Sequence, residues 1–386
     1  MSWIGRLIVL TIFAGIALYE WKRLVHDTRL HGWARVAATF AIIVTVAPML
    51  LANLFSRGGP PNLNGPLAWP GFVGWAVFAL VFVWLIAVDV VRLVIWSGRR
   101  LVRSPPMDPG RRAMLARITG GAVATLAVAE VGIGIVNATR DPAVVDVPIR
   151  LARLPHAFDG FTIVQLTDIH VGATIGGELV ASLVARTNAL RPDLIALTGD
   201  LVDGTVDQLR DDLAALRELR APHGVYFVTG NHEYYVGVDA WVAYIASLGI
   251  RVLHNERVEI VRDSAAFDLA GIDDYSAASY GPGHGADLGA ALAGRDPERA
   301  VILLAHQPRQ VREAARHGVD LQLSGHTHGG QVWPWHYLVA AQQGGLLAGR
   351  YREGDTELYV SRGAGYWGPP VRVAAPAELT RIILRA

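Results

Sequence analysis

The 386-residue chain contains no cysteine, and this absence excludes two kinds of structure at once. Without thiols the chain forms neither disulfide bonds nor thiolate metal sites. Net charge is also nearly absent, because 35 lysine and arginine residues stand against 34 aspartate and glutamate residues, which gives a formal net charge of +1. This balance provides no electrostatic reason to expect nucleic acid as a partner. Because cysteine is absent, any metal site must use carboxylate, amide and imidazole groups.

Hydrophobic residues make up 52% of the chain and are concentrated before about residue 140. Four apolar segments lie there, at roughly residues 3–19, 36–54, 67–88 and 118–136. Each is close to the ~20 residues that a helix needs to cross a bilayer. A single segment could be the core helix of a soluble protein, but four in succession favour transmembrane helices. We therefore predict a membrane region with about four transmembrane helices over residues 1–140 and a soluble α/β domain over residues 141–386.

The charges between the apolar segments predict the orientation of the chain in the cell membrane. The first loop carries four basic residues and the third carries six, whereas the second has only Arg57. By the positive-inside tendency the first and third loops are cytoplasmic, so a multi-pass protein with its soluble domain on the extracytoplasmic side is expected. Arg111 and Arg112 precede the fourth segment. They indicate either the same charge bias or an internal twin-arginine export signal, and both alternatives send the domain to the same side.

After about residue 140 the chain alternates between short apolar strands and helical segments, and each of five strands ends in a polar side chain. The pattern predicts strands over about 161–167, 193–197, 224–228, 300–304 and 319–323, with helices over about 178–190 and 206–219. The strand ends carry Asp168-x-His170, Gly199-Asp200-x-x-Asp203, Gly230-Asn231-His232-Glu233, His306, and Gly325-His326-x-His328-Gly329-Gly330-Gln331. Open α/β sheets place their sites at the carboxyl ends of strands.

This repeated placement predicts a metal site. Carboxylate, carboxamide and imidazole groups are the ligands expected for borderline divalent cations such as Mn, Fe or Zn. His326 and His328 alone could form a polar turn, because short motifs often match by chance. Five strands that each end in such a group, in three cases next to a glycine, are not expected by chance. His326 and His328 could each bind a different cation, since neighbouring side chains of an extended segment diverge.

In their order and spacing these motifs resemble those of the calcineurin-like metallophosphoesterases, and the match runs from about residue 151 to residue 385. The resemblance implies an α/β fold with four α/β/β/α layers, in which two mixed sheets pack face to face. It also implies two divalent metal ions, one held by Asp168, His170 and His328, the other by Asn231, His306 and His326, with Asp200 bridging them. Two cations so placed clamp phosphate oxygens and acidify a bridging water into an attacking hydroxide.

His232 remains after these ligands are assigned. A histidine beside a metal ligand, but not itself a ligand, is well placed to protonate the leaving group or to stabilise charge on the phosphoryl group. Asp203 is the candidate partner that orients this imidazole. The alternative for Asp203 is a carboxylate that caps a turn, and the sequence favours neither. The catalytic residues are thus predicted to be His232 and Asp203.

The predicted function is a membrane-anchored phosphoesterase that hydrolyses a phosphoester or pyrophosphate bond, with a lipid-linked substrate as one option. The Gly329-Gly330-Gln331 extension and the apolar helices resemble the membrane-associated bacterial branch of the family, which is similar to lipid-precursor pyrophosphatases. A nuclease is one alternative, although no basic stretch adjoins the motifs. A non-catalytic receptor is another, although it has no evident need for His232. Aromatic residues near the loops could form a rim or pack beneath them: Trp333, Trp335, Tyr337, Tyr366 and Trp367.

Overall fold

The computed structural model describes residues 3–55, 64–101 and 107–386. Contacts between residues divide the chain into two units. The first unit comprises Met1–Val136 and Gly368–Val371, and the second comprises Asn137–Trp367 and Arg372–Ala386. The division into a membrane region and a soluble domain at residue 140 stays a prediction, because contacts alone assign no role to either unit.

The first unit is built from long apolar helices. They are α1 Trp3–Trp21, α2 Gly32–Phe55, α3 Asn64–Leu101 and α4 Pro109–Thr139, the last of which runs into the second unit. Two stretches, Leu67–Leu101 and Pro109–Thr139, are long and apolar enough to cross a membrane, and Gly32–Ala47 is a shorter apolar helix. Apolar helices that could span a membrane are therefore present, and the number of spans stays a prediction. Arg57 and Arg103, in two of the loops used for orientation, lie outside the described residues.

Several polar side chains of the first unit form hydrogen bonds with one another across its helices. The Asp89 carboxylate accepts hydrogen bonds from the Tyr19 hydroxyl at 2.8 Å and from the Arg23 guanidinium. The Trp84 indole donates to the Glu130 carboxylate at 3.0 Å. Such pairing is expected because an unpaired polar group inside an apolar bundle costs free energy.

Two six-stranded mixed sheets form the centre of the second unit. The strands of the first sheet, in spatial order, are β1 Ala143–Arg150, β12 Glu378–Arg385, β2 Thr162–Leu166, β3 Leu194–Leu197, β4 Val225–Phe227 and β5 Arg251–Val252. Those of the second are β10 Gly349–Glu353, β11 Thr356–Val360, β9 Leu321–Ser324, β8 Val301–Leu304, β7 Ala265–Gly271 and β6 Glu256–Arg262.

The strand directions place the motif loops at one edge of each sheet. Strands β2 to β5 are parallel to one another, as are β7, β8, β9 and β11. Strand β12 is parallel to β1 and antiparallel to β2. Because parallel strands end at the same edge, the loops after β2, β3 and β4 lie side by side, and so do those after β8 and β9.

Alternate residues of each strand face two different cores, as the pleat of a strand requires. Ile163 packs with Ile302 and Leu323 between the two sheets, whereas its neighbour Val164 packs on the outer side. The helices are α5 Gly177–Ala189, α6 Val206–Leu213, α7 Asn231–Val236, α8 Val238–Ser247, α9 Leu288–Ala291, α10 Val311–Arg316 and α11 Trp335–Gln342.

Helices cover the outer face of both sheets. Residues of α5, α6 and α8 pack on the first sheet, and residues of α9 and α10 pack on the second. The predicted four-layer α/β/β/α architecture is confirmed. The helix predicted over 206–219 differs in detail, because it is α-helical only to Leu213 and continues as a 3₁₀ turn over Ala214–Glu218. Such a tightening is common at helix ends.

Candidate metal centre

The loops after β2, β3, β4, β8 and β9 bring acidic and imidazole side chains from both sheets to one place. Their ligand atoms form three overlapping groups, each within 4.8 Å: Asp168, His170 and His328; His170, Asp200 and His232; and Asp200, His306 and His326. Asn231 is buried and precedes His232 at the start of helix α7, directly after β4. Six of the seven predicted metal ligands therefore converge with His232, and the seventh, Asn231, is its neighbour in the chain.

Asp200 lies at the centre of this arrangement. Its Oδ2 is 3.1 Å from Nε2 of His306, 3.8 Å from Nε2 of His170 and 3.9 Å from Nε2 of His232. On the other side of the cluster, Nε2 of His170 lies 2.9 Å from Nε2 of His328. Nitrogens that converge in this way share a space suited to a cation.

The backbone of the cluster adopts an unusual conformation. Five residues of the predicted ligand set have positive φ, namely Asp168 at 55°, His170 at 56°, Asp200 at 54°, His326 at 73° and His328 at 51°. Each such non-glycine residue costs on the order of 1–3 kcal/mol and persists only where surrounding contacts impose it. Two of those contacts are hydrogen bonds from the His326 N–H to Asp168 at 2.8 Å and from the His232 N–H to Asp200 at 2.9 Å.

Two glycines allow the loops to approach so closely. A Cβ on Gly230 would collide with the Asp200 side chain, and a Cβ on Gly325 would collide with the Asp168 carboxylate. The φ of Gly230 is −100°, which any residue adopts, so this glycine is required for space rather than for its conformation. The glycines beside the ligands thus have a packing reason that spacing alone does not reveal.

The hydrogen bonds around the imidazoles determine which ring nitrogen can bind a cation. His306 Nδ1 donates to the Thr198 carbonyl at 2.7 Å, so its Nε2 carries the lone pair. This Nε2 lies 3.1 Å from Oδ2 of Asp200 but without the geometry of a hydrogen bond, and neither it nor the buried Oδ1 of Asn231 forms a hydrogen bond among the described residues. Buried polar atoms are normally satisfied, and ligand imidazoles normally donate through their other nitrogen. These donors therefore fit a divalent cation, and their N and O chemistry suits Mn, Fe or Zn.

The carboxylates and imidazoles perturb each other strongly. Burial alone lowers the pKa of His170, but the carboxylates of Asp203, Asp200 and Asp168 raise it to about 9. Burial and the neighbouring His306 lower the pKa of His326 to about 3. The pKa of one histidine of the site is thus raised and that of another is lowered, because neighbouring charges and burial act differently on each. Such strong pKa shifts are typical of functional centres.

Asp203 contacts two imidazoles at once. Its Oδ1 accepts from Nδ1 of His232 at 2.6 Å and from Nδ1 of His170 at 2.9 Å. Burial opposes ionisation of Asp203, but the two histidines lower its pKa well below the usual value. Asp203 is therefore positioned to orient His232, as the sequence suggested, and it also holds His170, which the sequence did not indicate.

Glu233 is a component of the site to which the sequence assigned no role. Its buried carboxylate accepts hydrogen bonds from the backbone N–H groups of Asp200 at 3.0 Å, Leu201 at 2.7 Å and Gly230 at 2.7 Å. It thereby ties the loop after β3 to the loop after β4. The glutamate at the third position of helix α7 is a capping-box signal, which could have revealed the contact to Gly230.

Arg372 is a second component that the sequence did not reveal. Its guanidinium is fully buried and donates to the carbonyl oxygens of Gly365 at 2.8 Å, Arg362 at 2.8 Å, Ala375 at 2.9 Å and His328 at 3.3 Å. Burial lowers its pKa to about 10, so the group remains charged at neutral pH. It fixes the C-terminal segment against the His328 loop.

An aromatic edge adjoins His232. The ring of Tyr235 lies 4.9 Å from the His232 ring, and Trp367 lies 5.8 Å from it, centroid to centroid. Tyr235 is 56% exposed and Trp367 is 54% exposed. Among the aromatic residues that could form a rim, Trp367 lies beside the site, whereas Tyr366 is buried and donates to the Thr174 carbonyl. The Gln331 side-chain amide exchanges two hydrogen bonds with the Trp367 backbone, at 2.8 and 2.9 Å.

Comparisons with known proteins place this chain among relatives of similar sequence. The family model described as calcineurin-like phosphoesterase matches residues 161–330. A Bos taurus protein named "Transmembrane protein with metallophosphoesterase domain" is 37% identical over 391 residues, covering 96% of this chain and 86% of that protein. An uncharacterized metallophosphoesterase of Campylobacter jejuni is 30% identical over 383 residues, covering 98% and 97%. The solved structure of the calcineurin-like phosphoesterase YfkN from Bacillus subtilis aligns with a TM-score of 0.35 and 16% identity, covering 57% of this chain and 90% of that one.

Proposed function

The chain belongs to the calcineurin-like phosphoesterase family, and we propose that it hydrolyses a phosphoester or pyrophosphate bond of a membrane-associated substrate at a centre of two divalent metal ions. It is a metal-dependent phosphoric ester hydrolase associated with a membrane. The observation that carries the proposed dinuclear centre is that Asp200 shares one group of converging ligand atoms with His170, assigned to the first cation, and another with His306 and His326, assigned to the second. A single carboxylate shared in this way suits a bridge between two cations.

The first cation is assigned to Asp168, His170 and His328, and the second to Asn231, His306 and His326. Asp200 serves both. When bound, two divalent cations supply Lewis-acid charge that polarises a phosphoryl group and lowers the pKa of a water. The buried lone pairs of His306 Nε2 and Asn231 Oδ1 support the assignment of the second group. The identity of the metal, Mn, Fe or Zn, is left open by these ligand types.

His232 is assigned the proton transfer to the leaving oxygen. Asp203 accepts from its Nδ1, so the other ring nitrogen, Nε2, is the one that can give a proton to a substrate. The side chain of His232 is 12% exposed, which permits access while limiting solvation. The same hydrogen bond from Nδ1 to Asp203 fixes the orientation of the imidazole ring. Asp203 is thus a positioning residue and His232 the catalytic one.

The substrate proposed is a phosphoester at a membrane surface. Helix α4 ends at Thr139 and β1 begins at Ala143, so the two sheets that carry the metal centre follow the last apolar helix almost directly in the sequence. Exposed Trp367 and Tyr235 flank His232, and such side chains suit the headgroup level because each joins an apolar ring to a polar group. A soluble substrate is the competing option, with the helices only retaining the enzyme.

Trp367→Ala is expected to lower hydrolysis of a lipid phosphoester in vesicles by roughly 2- to 10-fold, because a lost aromatic contact is worth about 0.5–1.5 kcal/mol. Hydrolysis of a small soluble ester should change little. Both substrates are assayed with full-length enzyme loaded in turn with each candidate metal. Tyr337→Ala, which removes an exposed aromatic in ring contact with His336, is the matched control.

Equal losses on both substrates would contradict the lipid proposal while leaving phosphoesterase activity intact. Inactivity toward every phosphoester with every metal would instead favour a binding-only receptor. Salt-dependent binding of DNA would favour a nuclease.

Reporter fusions after Arg57, Arg103 and Ala386 are expected to be active outside, inside and outside the cytoplasm, respectively. The physical reason is the excess of basic residues in the first and third loops, which are retained in the cytoplasm. The measurement is paired activity of an export-dependent and a cytoplasm-dependent reporter. A cytoplasmic Ala386 fusion would overturn the proposed extracytoplasmic domain. Loss of export only when Arg111 and Arg112 become lysine would assign the pair to a twin-arginine signal.

A further inference from the structure

Residues of helices α1 to α4 and of the turn after α1 line a partly open cavity of about 440 Å³ in the first unit. Its walls are mainly apolar and include Ile42, Val77, Phe78, Val81 and Ala124. The volume lies within the range of about 300–1,000 Å³ that is usual for sites of small ligands. Gly121 also lines the cavity, and a Cβ at this position would meet no atom within 4 Å. The bundle therefore contains room for a chain-like apolar molecule.

One oxygen of a buried carboxylate at this cavity has no hydrogen-bond partner among the described residues. Glu20 lines the wall and is 2% exposed, and its Oε1 has no hydrogen-bond partner within the parts of the chain that the structure describes. Leaving a buried polar atom unsatisfied costs about 1–3 kcal/mol, and more for a charged group. The acids Asp89 and Glu130 of the same unit accept hydrogen bonds from Tyr19 and Trp84. Glu20 differs from them because it lines the cavity and its Oε1 accepts no hydrogen bond from the described residues.

A basic and a polar residue lie at the same cavity. Arg117 and Thr28 both line it, and the Arg117 guanidinium donates to the Thr28 carbonyl at 2.8 Å and to the Arg29 carbonyl at 3.3 Å. The Thr28 hydroxyl donates to the Leu24 carbonyl at 2.8 Å. The cavity thus presents one acidic side chain and one anchored basic side chain to an otherwise apolar space. These two groups are complementary to a headgroup that carries both signs.

We propose that this cavity binds a single-chain zwitterionic amphiphile. Its primary ammonium donates hydrogen bonds to Glu20, its anionic group lies toward Arg117, and its acyl chain lies along the apolar wall. The requirement for a primary ammonium follows from the unpartnered Glu20 oxygen, which needs an N–H or O–H donor as well as a positive charge. The requirement for a chain follows from the apolar lining, because burial of each methylene contributes about 0.8 kcal/mol. The site is independent of the proposed hydrolytic function.

The probe is lysophosphatidylethanolamine, added to the full chain in a neutral detergent. Because a ligand that binds only the folded state stabilises it, we expect a saturable rise in the unfolding midpoint of roughly 2–6 °C. Lysophosphatidylcholine has the charge but no N–H donor, and lysophosphatidylglycerol has no ammonium, so both should give at most a small rise. Phosphoethanolamine without a chain should give none.

Two variants connect this effect to the cavity. Glu20→Gln, which is nearly isosteric, should abolish the preference for the ethanolamine head. Gly121→Leu should fill the space and abolish the rise, without a lower midpoint in the absence of lipid. Glu130→Gln is the matched control, because Glu130 is already bonded to Trp84 and does not line the cavity. It should retain the full preference.

The proposal would be overturned by equal shifts with all three lysophospholipids, which would indicate ordinary coating of the apolar helices only. It would also be overturned by an ethanolamine preference that survives both Glu20→Gln and Gly121→Leu. If Glu130→Gln also lost the preference for the ethanolamine head, the preference would depend on the net charge of the bundle rather than on Glu20.

Discussion

Replacing Asp200 with asparagine is expected to lower hydrolysis by about 10³-fold and to remove at least one equivalent of bound metal. Asp200 shares ligand groups with His170 and with His306 and His326, which are assigned to different cations, so the change removes one negative charge from both proposed cation sites. Lewis-acid stabilisation is worth several kcal/mol, and each 1.36 kcal/mol corresponds to a factor of ten in rate. The asparagine Oδ1 can still accept from the His232 N–H, so the loop should keep its conformation.

Metal content is measured by elemental analysis of the purified protein, alongside turnover of a generic phosphodiester. Asp287→Asn is the control, because Asp287 caps helix α9 by accepting from the Ala290 N–H at 2.8 Å and belongs to none of the ligand groups. It should retain both metal equivalents and full activity. Two tightly held equivalents together with full activity in Asp200→Asn would refute the bridging assignment.

His232→Ala is expected to lower turnover by roughly 10²–10⁴-fold while both metals remain bound. The loss should be largest for alkyl esters, whose leaving oxygen needs a proton, and should shrink for a nitrophenyl ester. The physical reason is that a nitrophenolate departs as a stable anion, so a general acid contributes little to its release. The checks are metal analysis and turnover across a series of leaving groups.

A matched variant separates this effect from a general loss of structure. His317→Ala removes an exposed histidine after helix α10 and should leave the leaving-group dependence unchanged. Equal losses for good and poor leaving groups in His232→Ala would assign His232 to stabilisation of the phosphoryl oxygens. Loss of a metal equivalent would make it a ligand, in keeping with its closeness to Asp200 and His170.

Much of the catalytic unit could be predicted because its signals are local. Alternating or continuous apolar runs predicted β2, β3, β4, β8 and β9 to within a few residues. The rule that parallel strands end at one edge then predicted that their polar ends meet. These features could be predicted because each strand and the polar residue that follows it are neighbours in the sequence.

Other features could not be predicted because they depend on distant residues. The positive φ of Asp168 and Asp200 arises only when opposite loops meet, so no local propensity indicates it. Arg372 reaches His328 across 44 positions of sequence, and no spacing rule connects them. Tyr366 and Trp367 are adjacent in the sequence, yet the Tyr366 side chain is buried and the Trp367 side chain is 54% exposed. Which of two neighbouring loop residues faces the solvent depends on the tertiary structure around the loop.

The position of β12 between β1 and β2 determines when the first sheet can close during synthesis on the ribosome. Val147 pairs with Ile382, and Ile163 pairs with the same residue from the other side. Until residues 378–385 emerge, β1 and β2 each present an unpaired edge, and such edges readily pair with other chains. Contacts so distant in sequence also form slowly. Every motif of the metal centre is thus translated before the strand that completes its supporting sheet, so the nascent chain must be protected from aggregation over that interval.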